Sequence, residues 1–212
     1  VMLGYNSPDA FRTAFQGMHG VSPSKARRLD VALKAFPPMT FQLTIKGGAK
    51  MEYRIVHNKN FQIVGFKKRI TLQFEGENLQ MASLYRDLTP ERIAQLKALC
   101  DIQPEGMLSV SANFAGRTKE GTELDQYVGI ATTKPPPNGY EALQVDESDW
   151  AVFSVMGPYP RAMQDAWARI YAEWLPASEF QLTGGPELVW YESPDLAKPD
   201  CKCEIWIPIS RR

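Results

Sequence analysis

Apolar positions along this chain recur with two different periods. Phe11, Phe15 and Met18 return at helical spacing between Asn6-Ser7-Pro8-Asp9 and Gly20. That pattern predicts a helix with Ser7 as N-cap, Pro8 in the first turn, Asp9 at the positive end of the dipole and Gly20 as the stop. Ser22-Pro23 opens a second short helix carrying Lys25, Arg27 and Arg28. Leu29–Phe36 reads as its extension, ended by Pro37-Pro38. Phe41–Ile45 then alternates as a short strand would, and Gly47-Gly48 breaks it. The reading divides the chain into a helical segment over 1–30, a linker over 31–50 and a body over 51–212.

In the body the same order of elements comes twice. The first copy has strands near Tyr53–Val56 and Phe61–Ile70, and then a helix with Leu79, Leu84, Leu88, Ile93 and Leu96 on its apolar positions and a break at Thr89-Pro90. Strands at Met107–Phe114 and Leu124–Thr132 close it. The second copy has a strand at Trp150–Met156, a helix from Pro160 to Trp174, and closing strands at Glu187–Glu192 and Cys203–Ile209. Pro135-Pro136-Pro137-Asn138-Gly139 forms a stiff joint between them. A strand-helix-strand-strand unit repeated across a proline joint predicts an α+β fold with pseudo-twofold symmetry. The expected assembly is one antiparallel sheet with two main helices.

Composition narrows the function classes. Of 212 residues 44% are hydrophobic, enough for a real core, yet no apolar stretch reaches the length of a membrane span. Val1–Tyr5 lacks the basic start of a secretory signal, and three cysteines do not make a disulfide framework, so a soluble cytoplasmic protein is expected. Overall charge is balanced, 24 basic against 24 acidic, but residues 1–50 hold seven basic and two acidic side chains. A basic end on an acidic body suits an anionic partner such as nucleic acid, or merely a solvated tail.

Two stretches carry resemblances. Gly4-Tyr5-x-Ser7, Phe11, Phe15 and Gly20-Val21-Ser22-Pro23-x-x-x-Arg27 resemble the end of an AraC/XylS-type DNA-binding domain. The matching part is the second helix-turn-helix, from the turn before the recognition helix to the closing helix. The resemblance implies that Arg12, Thr13 and Gln16 would meet DNA in an intact regulator. The first motif and the helix expected before Gly4 are missing, so the segment reads as a truncated remnant that should bind an operator poorly. Glu52-Tyr-Arg-Ile-Val56, Phe61-x-Ile63-Val64-Gly65, Ala151-Val152-Phe153, Pro186-x-Leu-x-x-Tyr191 and Glu204-Ile-Trp-Ile-Pro-Ile209 are similar to the GyrI-like effector-binding domain over residues 51–210. Such domains follow AraC-type domains in many bacterial regulators. Together the two resemblances imply the sensor half of a ligand-responsive transcription regulator.

Strand alternation puts Glu204, Trp206 and Pro208 on one face and Ile205, Ile207 and Ile209 on the other. A carboxylate among apolar strand residues is costly to bury unpaired, and an arriving cation would lower its raised pKa. Glu204 is therefore a candidate anchor for a lipophilic cation in an aromatic pocket, the alternative being an edge glutamate in water. Aligning Tyr127-Val-Gly-Ile130 with Glu204-Ile-Trp-Ile207 makes Tyr127 its counterpart in the other copy. Tyr127 is then either a polar partner in the pocket or a core tyrosine. Tyr85 takes a place where the family tends to have a Trp facing the cleft. Trp190, Trp206 and Phe153 complete the expected set, and Trp190 and Tyr191 must face opposite sides of their strand. Trp167, Tyr171 and Trp174 form one helical stripe and read as core.

Other chemistries find little in the sequence. Cys201-x-Cys203 with Cys100 lacks zinc spacing, and no phosphate loop or nucleophile elbow is present, so no metal or cofactor is expected. The leading expectation is a non-enzymatic module that binds a small amphipathic, cationic organic molecule. DNA is a partner only of the intact regulator, and oligomeric state is left open. A hydrolase with Glu204 as base and Tyr127 as acid is the second reading. A protein-interaction domain is the third.

Overall fold

The computed structural model describes residues 7–28, 51–117 and 119–212, and the chain divides into two units, Val1–Gly48 and Ala49–Arg212. In the first unit α1 spans Pro8–His19. Ser7 Oγ accepts from Ala10 N at 3.1 Å, and Gly20 ends the helix in the left-handed region at φ 78°. Helix α2 follows at Pro23–Arg28. Arg12, Thr13 and Gln16 are exposed on α1, while Phe11 and Phe15 are half-buried on another face. The expectations for Val1–Asn6, the Leu29–Phe36 extension, the Phe41–Ile45 strand and Gly47-Gly48 lie outside the described residues.

The second unit is an α+β fold on one antiparallel sheet. Its first half runs β1 (Tyr53–Asn58), β2 (Phe61–Thr71), α3 (Leu79–Arg86), α4 (Pro90–Leu99), β3 (Leu108–Ala112) and β4 (Glu123–Thr132). Asn78 caps α3 and Thr89 caps α4, with Pro90 in the first turn, so the helix breaks where the sequence predicts. The second half runs β5 (Glu141–Val145), β6 (Ser148–Met156) and α5 (Arg161–Arg169). A π turn at Ile170–Trp174 leads into a short α6 (Leu175–Ala177), and β7 (Phe180–Leu182), β8 (Glu187–Tyr191) and β9 (Lys202–Arg211) complete it. Strand order is β1-β6-β9-β8-β3-β4-β2-β5, with β7 added on β9. The pseudo-twofold axis passes between β3 and β8, where Ser109 pairs with Val189.

The structure adds two strands to the predicted set, β5 and β7. The first of these completes the symmetry, because β5 is the counterpart of β1. Both are exchanged between the halves. Only Lys59 and Asn60 separate β1 from β2, yet β1 pairs with β6; only Asp146 and Glu147 separate β5 from β6, yet β5 pairs with β2. Connections this short between opposite ends of the strand order require the sheet to roll until its ends meet. Gly65 and Gly129 sit opposite each other within it, and a Cβ on Gly65 would lie 2.2 Å from Val128 O, so this approach needs glycine.

The roll has an inner face and an outer face. The inner one is packed with Phe61, Ile63, Tyr127, Trp150, Val152 and Trp206, and the rings of Phe61 and Trp150, from opposite wings, lie 6.1 Å apart. The outer face carries the helices. Leu96 of α4 packs on Val64 and Ile130, while Ile170 and Trp174 pack on Ala151, Phe153, Ile205 and Ile207. With one set of helices on β2 and β4 and the other on β6 and β9, the outer surface of β3 and β8 is left between them. No helix among the described residues is long and apolar enough to cross a membrane.

Candidate ligand site

Alternation along β9 turns Glu204, Trp206 and Pro208 inward and Cys203, Ile205, Ile207 and Ile209 outward. Glu204 is not an unpaired carboxylate. It accepts from Arg54 Nη2 at 2.8 Å and from Trp206 Nε1 at 3.0 Å, and the Arg54 guanidinium lies 5.6 Å from the Trp206 ring centroid. Its side chain is 20% exposed and that of Arg54 48%. With Trp190, whose Nε1 donates to Glu105 O at 2.7 Å, these groups surround a shallow pocket of about 270 Å³ at one mouth of the roll. Tyr127 also faces inward, but β3 and β8 stand between its strand and β9.

The outer face breaks its own pattern over the central strands. A helix-covered sheet face should be apolar, yet β3 presents Ser109 and Ser111 there, β4 presents Gln126 and β8 presents Glu187. Gln126 is fully buried. Its Nε2 donates to Ser109 Oγ at 2.9 Å and its Oε1 accepts from Ser111 Oγ at 2.9 Å. Glu187, the one buried acid among the described residues, accepts from the Tyr171 hydroxyl and from Arg117 Nη1. Arg117 also donates to Gly184 O at 2.8 Å and Gly185 O at 2.6 Å, and its guanidinium lies 4.2 Å from the Phe114 ring centroid. Burial pushes the Glu187 carboxyl above its ordinary range, opposed by the charge of Arg117.

Tyrosines roof this polar strip. Tyr85 of α3 reaches Ser109 with its hydroxyl, which burial pushes up to about 12, while the residue as a whole remains 39% exposed. The phenol end is therefore sunk and the ring edge faces out. Tyr159 enters from the loop before α5, its ring 6.1 Å from Tyr191 and nearly perpendicular to it. The Tyr191 hydroxyl donates to the Met163 sulfur at 3.3 Å, and burial raises the pKa of both phenols. Across the top, Gln164 of α5 holds the Gly76 backbone, donating to its carbonyl at 2.8 Å and accepting from its N–H at 3.3 Å. Exposed Phe74 and Leu79 flank that contact. These tyrosines lie between α3 and α5 over the outer face of β3 and β8.

A family model described as the GyrI-like small-molecule-binding domain matches residues 51–210. The chain belongs to the GyrI-like family. Solved structures share this GyrI-like fold. SAV2435 bound to tetraphenylphosphonium superposes with a TM-score of 0.58 at 17% identity, covering 76% of this chain and 94% of that one. A Staphylococcus aureus MU50 protein assigned to bacterial transcription regulation gives 0.55 at 18%, covering 76% and 99%. EcmrR in a DNA complex gives 0.51 at 14%, covering 76% of this chain and 58% of that one. Comparison with curated proteins gives no match.

Within this GyrI-like domain the six residues predicted to line one pocket are divided by the sheet. Glu204, Trp190 and Trp206 gather at the inner mouth, and Tyr127 lies in the inner core. Tyr85 and Phe153 are on the outer side, where Phe153 is 1% exposed and packed edge-on against Trp174. Trp190 and Tyr191 do face opposite ways. Of the helical stripe, Trp174 is core, while Tyr171 turns its hydroxyl to Glu187. The sequence pattern assigns no site role to Ser109, Gln126, Tyr159 or Glu187, and it places Tyr171 in the core stripe. The available signal was polar residues at outward positions of otherwise apolar strands.

Proposed function

We propose that this chain is the ligand-sensing part of an AraC-type bacterial transcription regulator and takes a small amphipathic, cationic organic molecule among the tyrosines of the outer face. One observation carries the assignment: the buried strip of Ser109, Gln126 and Glu187, roofed by Tyr85, Tyr159 and Tyr191, between the helices of the two halves. Several phenol rings offer π faces to a cation, and their sunken hydroxyls give a ligand polar contacts at low cost in conformational entropy. The inner mouth suits a cation less well, because Arg54 already neutralises Glu204. The binding of tetraphenylphosphonium by SAV2435 supports the choice of ligand class.

The helix-glycine-helix at 7–28 supports the AraC-type assignment, with Arg12, Thr13 and Gln16 exposed on α1 where the intact regulator would meet DNA. A hydrolase built on Glu204 and Tyr127 would need those groups together, and they stand on β9 and β4 with two strands between them. The buried pair of Glu187 and Tyr171 shares its carboxylate with Arg117, which makes it a poor base.

Thermal unfolding tests the reading. Tetraphenylphosphonium at about 100 times its Kd should stabilise the chain by about 2.7 kcal/mol, raising Tm by roughly 5–10 °C. The rise should be absent with the isosteric anion tetraphenylborate and lost in Tyr85→Ala. Equal shifts with both ions, or no shift with either, would overturn the proposal.

A further inference from the structure

The mouth of the roll opposite Glu204 holds a second pocket, of about 280 Å³. Its apolar wall is made by Ala112, Leu143, Val145, Trp150, Pro186 and Pro208, and its rim by Asp146 and Glu147 in the turn between β5 and β6. Glycine keeps the far side thin, since a Cβ on Gly185 would come within 3.2 Å of Pro208. Trp150 is fully buried, and its indole Nε1–H has no hydrogen-bond acceptor. It is the one such donor in the second unit among the described residues. A buried N–H without a partner is a standing cost, and in native proteins it is usually met by a water or a ligand.

The charged residues that line this pocket, Asp146 and Glu147, are both acidic. No lysine, arginine or histidine lines it. Two basic groups stand behind the lining: His57, 3.3 Å from Glu147 and 2.8 Å from Asp149, and Arg117, which is engaged with Glu187 and with the Gly184 and Gly185 carbonyls. An anionic acceptor would therefore enter against Asp146 and Glu147, with no cation in the lining to meet it and Arg117 already paired with Glu187. A neutral acceptor, such as an amide carbonyl, suits the indole N–H, and a cation suits the rim.

We propose that this mouth is a second ligand site, taking a small organic cation whose apolar end carries a neutral hydrogen-bond acceptor. The acceptor sits on Trp150 Nε1–H, the apolar body lies against Val145 and Pro208, and the cation lies at Asp146 and Glu147. The site is on the inner face of the sheet and the tyrosines are on the outer, so it stands whether or not a ligand binds among them.

Nuclear magnetic resonance of the five tryptophan indole N–H groups tests this directly. The probes are N-(2-aminoethyl)benzamide, benzamide (no cation) and phenethylamine (no acceptor), each titrated to millimolar concentration. The signal missing in Trp150→Phe assigns Trp150. That signal should shift saturably with the first probe, with affinity about tenfold weaker for each of the other two. Trp150→Phe should lower affinity for the first probe about tenfold, as read from ligand-side signals. Should that core variant fold poorly, the exposed pair Asp146→Asn with Glu147→Gln must still weaken the first probe and leave benzamide unchanged. An indole signal unmoved by all three probes, or one exchanging only with a bound water, would overturn the proposal. So would equal affinity in the acidic-rim double variant.

Discussion

Arg117→Met isolates the energetics of the polar strip. Its guanidinium is the only cation on Glu187 among the described contacts, with side-chain exposures of 18% and 8% for the two partners. Deleting it leaves the carboxylate buried with the Tyr171 hydroxyl alone, and stranding one member of a buried pair costs about 3–5 kcal/mol. The surviving hydrogen bond places the loss at about 3 kcal/mol, or roughly 6–12 °C in Tm for a domain of this size. Glu187→Gln should be milder, about 1–2 kcal/mol, because Arg117 keeps the Gly184 and Gly185 carbonyls and the Phe114 face. The double variant removes the stranded charge and should be more stable than Arg117→Met. The pH dependence has a definite sign. Burial raises the folded-state pKa of Glu187, so its contribution is fullest below the unfolded carboxyl value of about 4.3 and is lost as pH rises through the folded value. The deficit of Arg117→Met should therefore be smaller at pH 5 than at pH 8 in urea titrations. A single-variant loss under about 0.5 kcal/mol, or strict additivity in the double variant, would refute the reasoning.

Two further outcomes follow from the sheet. His57 is raised by its hydrogen bond to Asp149, its cross-strand partner, with Glu147 adding to the effect, so its stabilisation is present below the ordinary histidine value and fades as pH rises through the raised one. The Tm gap between the parent and His57→Gln should be open near about pH 5.5 and closed near about pH 8.5; a gap that widens with pH would be the wrong sign. Gly65→Ala should cost more than about 3 kcal/mol, since its Cβ meets backbone at 2.2 Å, and melting within about 2 °C of the parent would show that β2 and β4 can part there.

Much of the fold was legible because periodicity is local. Phe61–Ile70 and Leu124–Thr132 read as strands from their apolar content, Thr89-Pro90 marks a cap, and the repeat is visible as an order of elements. Strand β5 was not legible: Glu141–Val145 is mostly exposed at a sheet edge, and its assignment rests on pairing with β2 far upstream. The site was legible only in part. Alternation told that Glu204 and Ile205 part company, but not which side the helices cover, nor that Arg54 would arrive from β1. Tyr171 was hidden inside an aromatic stripe, because helical spacing cannot distinguish a ring that packs from one whose hydroxyl holds a carboxylate.

The exchange of β1 and β5 makes each half of the domain structurally dependent on the other. A chain cut within the exposed Pro135–Gly139 joint would yield two fragments, each missing one strand of its own half and carrying one that belongs to its partner. Such fragments are built to complement each other, as split reporters are, and neither half should hold its sheet alone. The same exchange between two identical chains is a strand-swapped homodimer, so a single-repeat protein with this architecture would be an obligate pair.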